Sequence, residues 1–113
     1  MQFIYIDPFN NFSSVKQADK WIAPRMGTDA ALCEAIAYVW ITEGTYDKEY
    51  IAKHGHRFDE WKDHILGLGP DATAKTPAWA EEITGVKAAD IKAIARRWAS
   101  TKTMGGSGMR GGF

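Results

Sequence analysis

The sequence predicts an α/β fold: a small, partial Rossmann-like parallel sheet of two or three short strands, with about five helices and a helix-rich C-terminal half. Three observations predict it. Two short β-prone apolar runs, "QFIYI" at residues 2–6 and "KWIA" at residues 20–23, are stopped by Asp7-Pro8 and by Pro24. Between them lies room for one short helical crossover, the order strand, crossover, strand. After residue 28 the apolar residues recur mostly at helical spacing.

Each element follows from its residues. The first strand ends with polar residues at its C-terminal side, and "FNNFSS" reads as a loop in which Ser13 or Ser14 caps a short helix through Val15 and Ala18. The next helix is the clearest. Gly27 turns the chain, Thr28 suits the N-cap, Asp29 suits the positive helix N-terminus, and Leu32, Ala35, Ile36 and Val39 form one apolar stripe up to Gly44. Asp47 caps a helix carrying Tyr50, Ile51 and His54. Phe58, Trp61 and Ile65 mark another helix after Gly55. "GLGPDATAK" is a loop. Thr76 followed by Pro77 is a cap with proline at the first helical position, and that helix is expected to bury Trp79 and Ile83 and stop at Gly85. The last helix runs from about Ala88 with Ile91, Ile94, Ala95 and Trp98 inward. Residues 1–103 thus read as one partial α/β domain, which the resemblance given below implies to be nucleotide-binding, and residues 104–113, "MGGSGMRGGF", as a Gly-rich flexible or ligand-wrapping tail.

Composition narrows the function. With 113 residues and 45% hydrophobic content, five Trp, five Phe and four Tyr supply a real core for a single domain. The formal net charge is zero, so attraction to nucleic acid or an acidic membrane is not indicated. No apolar run is long enough to cross a bilayer, and Met1 to Ile6 is too short for a signal-peptide core. A lone Cys33 excludes an intrachain disulfide and a multi-cysteine cluster, which makes a reducing, cytoplasmic setting the default. Cys33 itself reads as a packing residue one turn into its helix, and His54, His56 and His64 lack metal-site spacing and read as structural or solvated. Residues 80–98 resemble a helix-turn-helix, but an ordinary helical hairpin with a basic face fits a neutral chain better.

One constellation carries chemistry. If the two strands are parallel neighbours, their C-terminal ends share an edge, where open α/β sheets bind ligands. Asp7, Asn10, Asn11, Arg25, Gly27, Thr28 and Asp29 then converge. Gly27 lets backbone approach a ligand, free N–H groups at the helix start attract an anion, and Arg25 can pair with a phosphate or stack on a base. Asp29 disfavours a phosphate beside it but matches a guanine edge, which offers two adjacent donors. The plain alternative is a strand end and a capped helix, with Asp29 serving only the dipole.

The stretch "YIDPFNNFSSVKQADKWIAPRMGTDAALCEAIAYVWITEGTYDKEYIAKHGHRFDEWKDHILG", continued by "KTPAWAEEITGVKAADIKAIARRWAS", resembles the molybdopterin oxidoreductases of the dimethyl sulfoxide reductase family over residues 3–102. The marks are Asp7-Pro8, Ala18-Asp19-x-Trp21, Arg25-x-Gly27-Thr28-Asp29-Ala30-Ala31-Leu32, Glu43-Gly44-x-Tyr46-Asp47-Lys48-Glu49-Tyr50 and Pro77-x-Trp79-Ala80-x-x-Ile83-Thr84-Gly85-Val86. The "DPFNN" and "KWIAPR" wording is nearest to the transhydroxylase-like large subunits. The resemblance implies a segment of a molybdenum-dependent oxidoreductase that grips the guanosine end of molybdopterin guanine dinucleotide. Asp7, Gly27, Thr28 and Asp29 are the implied contacts, Asp29 reading the guanine, with Arg25 and Asn10 beside them. It implies no catalytic residue and no metal ligand in this stretch, and as partner the remainder of the molybdoenzyme. A stand-alone helical module that forms homo-oligomers through apolar surface near Phe3, Tyr5 and Ile22 is the competing expectation. The chain departs from the family wording at Phe9 and Asn10, where many members carry a basic residue, and at Met26, where proline is common.

Overall fold

The computed structural model describes residues 1–106. Two strands and six helices follow in order: β1 (Ile4–Ile6), α1 (Phe12–Gln17), β2 (Lys20–Ile22), α2 (Asp29–Glu43), α3 (Lys48–His54), α4 (Phe58–Leu66), α5 (Pro77–Thr84) and α6 (Ala88–Ser100). The strands form a two-stranded parallel sheet with Ile4 opposite Lys20, Tyr5 opposite Trp21 and Ile6 opposite Ile22. Backbone bonds extend the ladder at both ends. Asp19 and Lys20 N–H donate to the Phe3 carbonyl, and Asp7 N–H donates to the Ile22 carbonyl at 3.1 Å. Because the strands are parallel, Asp7 and the chain leaving Ile22 emerge at the same edge.

The centre is α2, which packs against α5, α6 and α4. Its stripe of Leu32, Ala35, Ile36 and Val39 is buried as expected, and Ala31 and Ala37 join it. The core cluster joins this stripe to Ile22, Ala80, Val86, Ile91, Ile94 and Ala95, with Ile4, Trp40 and Trp79 against it. Ala35, Ala80 and Ala95 are fully buried, and such small residues let helix axes approach closely. The Trp40 indole N–H donates to the Ala95 carbonyl at 2.8 Å, and its ring meets Trp98 edge-on with centroids 5.3 Å apart. At the surface the Arg96 guanidinium donates twice to Glu43 Oε1, a second tie between α2 and α6.

Local signals account for the boundaries. The Asp47 carboxylate accepts from Tyr50 N–H, Thr76 Oγ1 accepts from Trp79 N–H behind Pro77, and α2 closes at Gly44 with Thr45 N–H donating to the Trp40 carbonyl. Four expectations need correction. The short helix expected in the segment after Asn11 is present. That helix opens at Phe12, so positions 13 and 14 lie inside it rather than at its cap. Ile83 is exposed and Trp79 half-buried, since Pro77, Ala80 and Thr84 form the inward face of α5. A buried threonine is tolerated there because its hydroxyl donates to the Ala80 carbonyl and accepts from Val86 N–H. Trp98 sits at the rim, 37% exposed, because Trp40 occupies the position beneath it. Cys33 is exposed rather than packed. The predicted loop 67–75 holds a feature its composition hides: Lys75 is buried, its ammonium bound by the Asp71 carboxylate and the Thr73 carbonyl and lying 5.3 Å from the Trp79 ring centre. Of the predicted tail, residues 104–106 carry no regular structure, and residues 107–113 lie outside the described residues. Among the described residues no helix is long and apolar enough to cross a membrane.

Candidate functional site

At the shared strand edge, Asp7 is half-buried and fixed by three bonds. Its N–H continues the ladder to Ile22, its carbonyl accepts from the Trp21 indole at 2.8 Å, and its Oδ1 accepts from Phe9 N–H at 2.8 Å. The last contact is an Asx turn that swings the chain away from the strand into the segment holding Asn10. The Asn11 side-chain amide donates to the Tyr5 hydroxyl at 3.3 Å.

On the β2 side the chain passes buried Pro24 and turns at Arg25–Thr28. Gly27 occupies the third position with φ +76°, a left-handed conformation that type II turns require there and that side chains resist. Proline is favoured at the second position of such a turn, where this chain has Met26. A Cβ built on Gly27 would meet nothing within 4 Å, so the surface over the turn is open. Thr28 corrects one expectation: its hydroxyl does not cap α2. Both its N–H and its Oγ1 donate to the Arg25 carbonyl, at 3.3 and 2.6 Å, which closes the turn and turns the hydroxyl away from the helix. The N–H groups of the first turn of α2 therefore receive no side-chain cap from Thr28, and the exposed Asp29 carboxylate stands beside them.

Arg25 has a structural use that its sequence pattern did not announce. Its N–H donates to the Thr84 carbonyl at 2.8 Å, and Nη1 donates to the Glu82 and Ile83 carbonyls at 2.8 and 3.2 Å. The guanidinium lies against Gly85, at ordinary contact distance from where a Cβ would stand. Carbonyls at the last turn of a helix lack intrahelical partners, so Arg25 caps α5 and moors the turn to it. Glu81 completes the corner by accepting from Ala88 N–H at the start of α6. The Ile83-Thr84-Gly85-Val86 segment is thus part of what positions the edge, although only its helix-stop signal was readable.

Other reactive residues lie elsewhere. Desolvation, and then the Asp29 and Glu34 carboxylates, push the Cys33 thiol pKa up, which opposes thiolate chemistry. His64 bridges α2 and the 67–75 loop, with Nε2 at 3.2 Å from Glu34 and Nδ1 at 3.8 Å from Asp71. His54 packs against the Tyr50 ring. Among the described residues no three side chains group as a metal site. On α6, Arg96 is engaged by Glu43, and β2 is tied to the helix start by Lys20 and Asp90 at 2.9 Å.

Comparison with known proteins adds a second line. The sequence model of the molybdopterin oxidoreductases matches residues 1–77, which include the whole edge. The chain is 49% identical along its full length to the pyrogallol hydroxytransferase large subunit of Pelobacter acidigallici, of which it spans 13%. It is 42% identical over 89% of its length to a dimethyl sulfoxide reductase of Escherichia coli K12, spanning 14% of that protein. Among solved structures, acetylene hydratase from Pelobacter acetylenicus superposes with a TM-score of 0.71 and 32% identity, over 88% of this chain and 12% of that one. The chain therefore spans about an eighth of the length of the relatives it matches.

Proposed function

The chain belongs to the molybdopterin oxidoreductase family, whose members use a molybdenum–pterin cofactor, and on that premise we propose that its strand edge holds the guanosine end of molybdopterin guanine dinucleotide within a larger oxidoreductase. The observation that supports this most is the open turn over Gly27 beside an unpartnered carboxylate. Asp29 has no hydrogen bond or ion pair among the described residues, is exposed, and stands two residues from Gly27, whose Cβ position has nothing within 4 Å beyond its chain neighbours Met26 and Thr28. A carboxylate offers two acceptors to the N1–H and N2–H₂ donors of guanine and only repulsion to the N1 acceptor of adenine. The same carboxylate keeps phosphates away from the helix mouth, whereas ribose hydroxyls can donate to the Asp7 carboxylate. Gly27 gives access, Thr28 closes the turn, Asp29 selects the base, and Asp7 with Asn10 borders the ribose. Arg25 serves as the mooring of the turn, through its bonds to the Glu82 and Ile83 carbonyls. When bound, the cofactor supplies the oxidation–reduction chemistry at its molybdenum end; this chain's residues bind and orient the opposite end and donate or accept no proton in the reaction.

Calorimetric titration of the chain with GDP, GMP and ADP tests the reading. GDP and GMP are expected to bind weakly, with a Kd on the order of millimolar because the edge offers only a few contacts, while ADP gives no heat of binding. Equal binding of GDP and ADP, or of neither, would reject it.

A further inference from the structure

Trp21 stands at the centre of β2 opposite Tyr5, and strand alternation sets it on the face away from Ile4 and Ile22, which join the helical core. Its ring stays 41% exposed, so burial is only part of what it contributes. It makes one well-placed bond: the indole N–H donates to the Asp7 carbonyl at 2.8 Å. Asp7 lies two positions beyond Tyr5, the cross-strand diagonal that a long aromatic side chain reaches. The consequences run along the chain from that carbonyl. Asp7 N–H is held by the Ile22 carbonyl, so both backbone groups of Asp7 are bound. Pro8 follows, and its ring fixes φ. Phe9 N–H then meets Asp7 Oδ1 at 2.8 Å, which fixes the carboxylate and leaves Oδ2 without a hydrogen bond among the described residues.

We propose that Trp21 is the positioning residue of the ligand edge: through the Asp7 carbonyl it sets the Asp7 carboxylate so that Oδ2 accepts a hydroxyl of the ligand's sugar. The proposal deepens the nucleotide reading and rests on it. Because its indole N–H is engaged by Asp7, Trp21 acts through that residue and offers the ligand no hydrogen bond of its own. An ionised carboxylate oxygen only accepts, so Oδ2 selects a donor, and the adjacent 2′- and 3′-hydroxyls of a ribose supply one. An acceptor that is already fixed loses less freedom on binding than one that must first be ordered, and the tie across the strands raises affinity in that way. Asp29 then answers for the base and Asp7 for the sugar, with Trp21 behind Asp7.

The test compares the native chain with Trp21→Phe, which keeps a ring on the same face and lacks the donor. The first readout needs no ligand. Acid protonates the Asp7 carboxylate and weakens its bond to Phe9 N–H, so the Phe9 amide proton is expected to move with pH in the native chain. In Trp21→Phe that movement is expected to shrink by about twofold or more, while the Tyr50 amide, bonded in the same way to Asp47, moves as before. The second readout is sugar discrimination. The native chain is expected to bind GDP about threefold or more tighter than 2′,3′-dideoxy-GDP. Trp21→Phe is expected to bind the two alike, while its Gly27 and Asp29 amides still prefer GDP to ADP. A Phe9 response unchanged by Trp21→Phe overturns the proposal, as does a Trp21→Phe chain that keeps the native preference for the diol. Loss of the Tyr50 signal, or of the Gly27 and Asp29 response, in Trp21→Phe overturns it as well, since Trp21 then serves only the fold. A native chain that answers GDP at Gly27 and Asp29 without preferring the diol faults this proposal alone. A native chain silent to GDP rejects the nucleotide reading and the sugar role with it, whereas the Phe9 response judges the hold on Asp7 by itself.

Discussion

Arg25 and Asp29 sit four residues apart and carry opposite burdens. Arg25 satisfies two exposed carbonyls at the end of α5, so Arg25→Ala hands them to water and is expected to destabilise the chain by about 0.5–1.5 kcal/mol, measured by urea unfolding without any ligand. Asp29 makes no comparable contact, so Asp29→Ala is expected to change stability by less than about 1 kcal/mol, the helix-dipole contribution, while removing the preference for guanine over adenine. Gly27→Ala meets no neighbour, and its cost of about 1–2 kcal/mol comes from the left-handed backbone alone. The residue types at this turn were legible in the sequence: glycine, a hydroxyl and a carboxylate at a helix start announce themselves. Their partners were not. Thr28 has the composition of a cap yet bonds the Arg25 carbonyl, and Arg25 has the composition of a phosphate ligand yet caps a helix 57 residues away. Residue type fixes which bonds a group can make, and tertiary packing fixes which it does make.

Helix existence was readable for a related reason. Asp47, Thr76-Pro77, Gly44 and Gly85 act locally, through bonds within three or four residues, and each performs the role its type suggests. Which face of α5 turns inward was not readable, because Ile83 and Thr84 are adjacent and the buried one is the threonine, stabilised by bonds to Ala80 and Val86. Thr84→Val keeps the shape but strands the Val86 N–H, and a loss of about 1–3 kcal/mol in chemical denaturation is expected. One tie between elements and one within the 67–75 loop respond to pH. The Arg96 hydrogen bond holds the Glu43 carboxyl below its ordinary pKa, and the Lys75 hydrogen bond does the same for Asp71. An unfolded carboxyl takes up protons near pH 4, where these folded ones still resist. Their contribution is therefore complete above that range and is lost as pH falls through it toward the lowered folded values. Urea midpoints followed from pH 6 down to pH 3 should fall, and Glu43→Gln should flatten part of that fall.

For the molecule as a whole, the order of strand, crossover, strand and helices was legible because hydrophobic period and turn residues report it directly. The small parallel sheet was legible too, since the two strand runs before residue 28 pair as the sequence order suggests. The proposed ligand edge sits on this β-α-β unit. The central claim concerns the edge, and one measurement addresses it most directly: amide chemical shifts of the ¹⁵N-labelled chain titrated with GDP and, separately, with ADP, for the native sequence and for Asp29→Ala. The account predicts saturable shifts at Gly27, Thr28 and Asp29 with GDP, none with ADP, and loss of the GDP response at these amides in Asp29→Ala. Shifts of equal size with both nucleotides, a GDP response unchanged by Asp29→Ala, or a Gly27–Asp29 turn silent to GDP would contradict it.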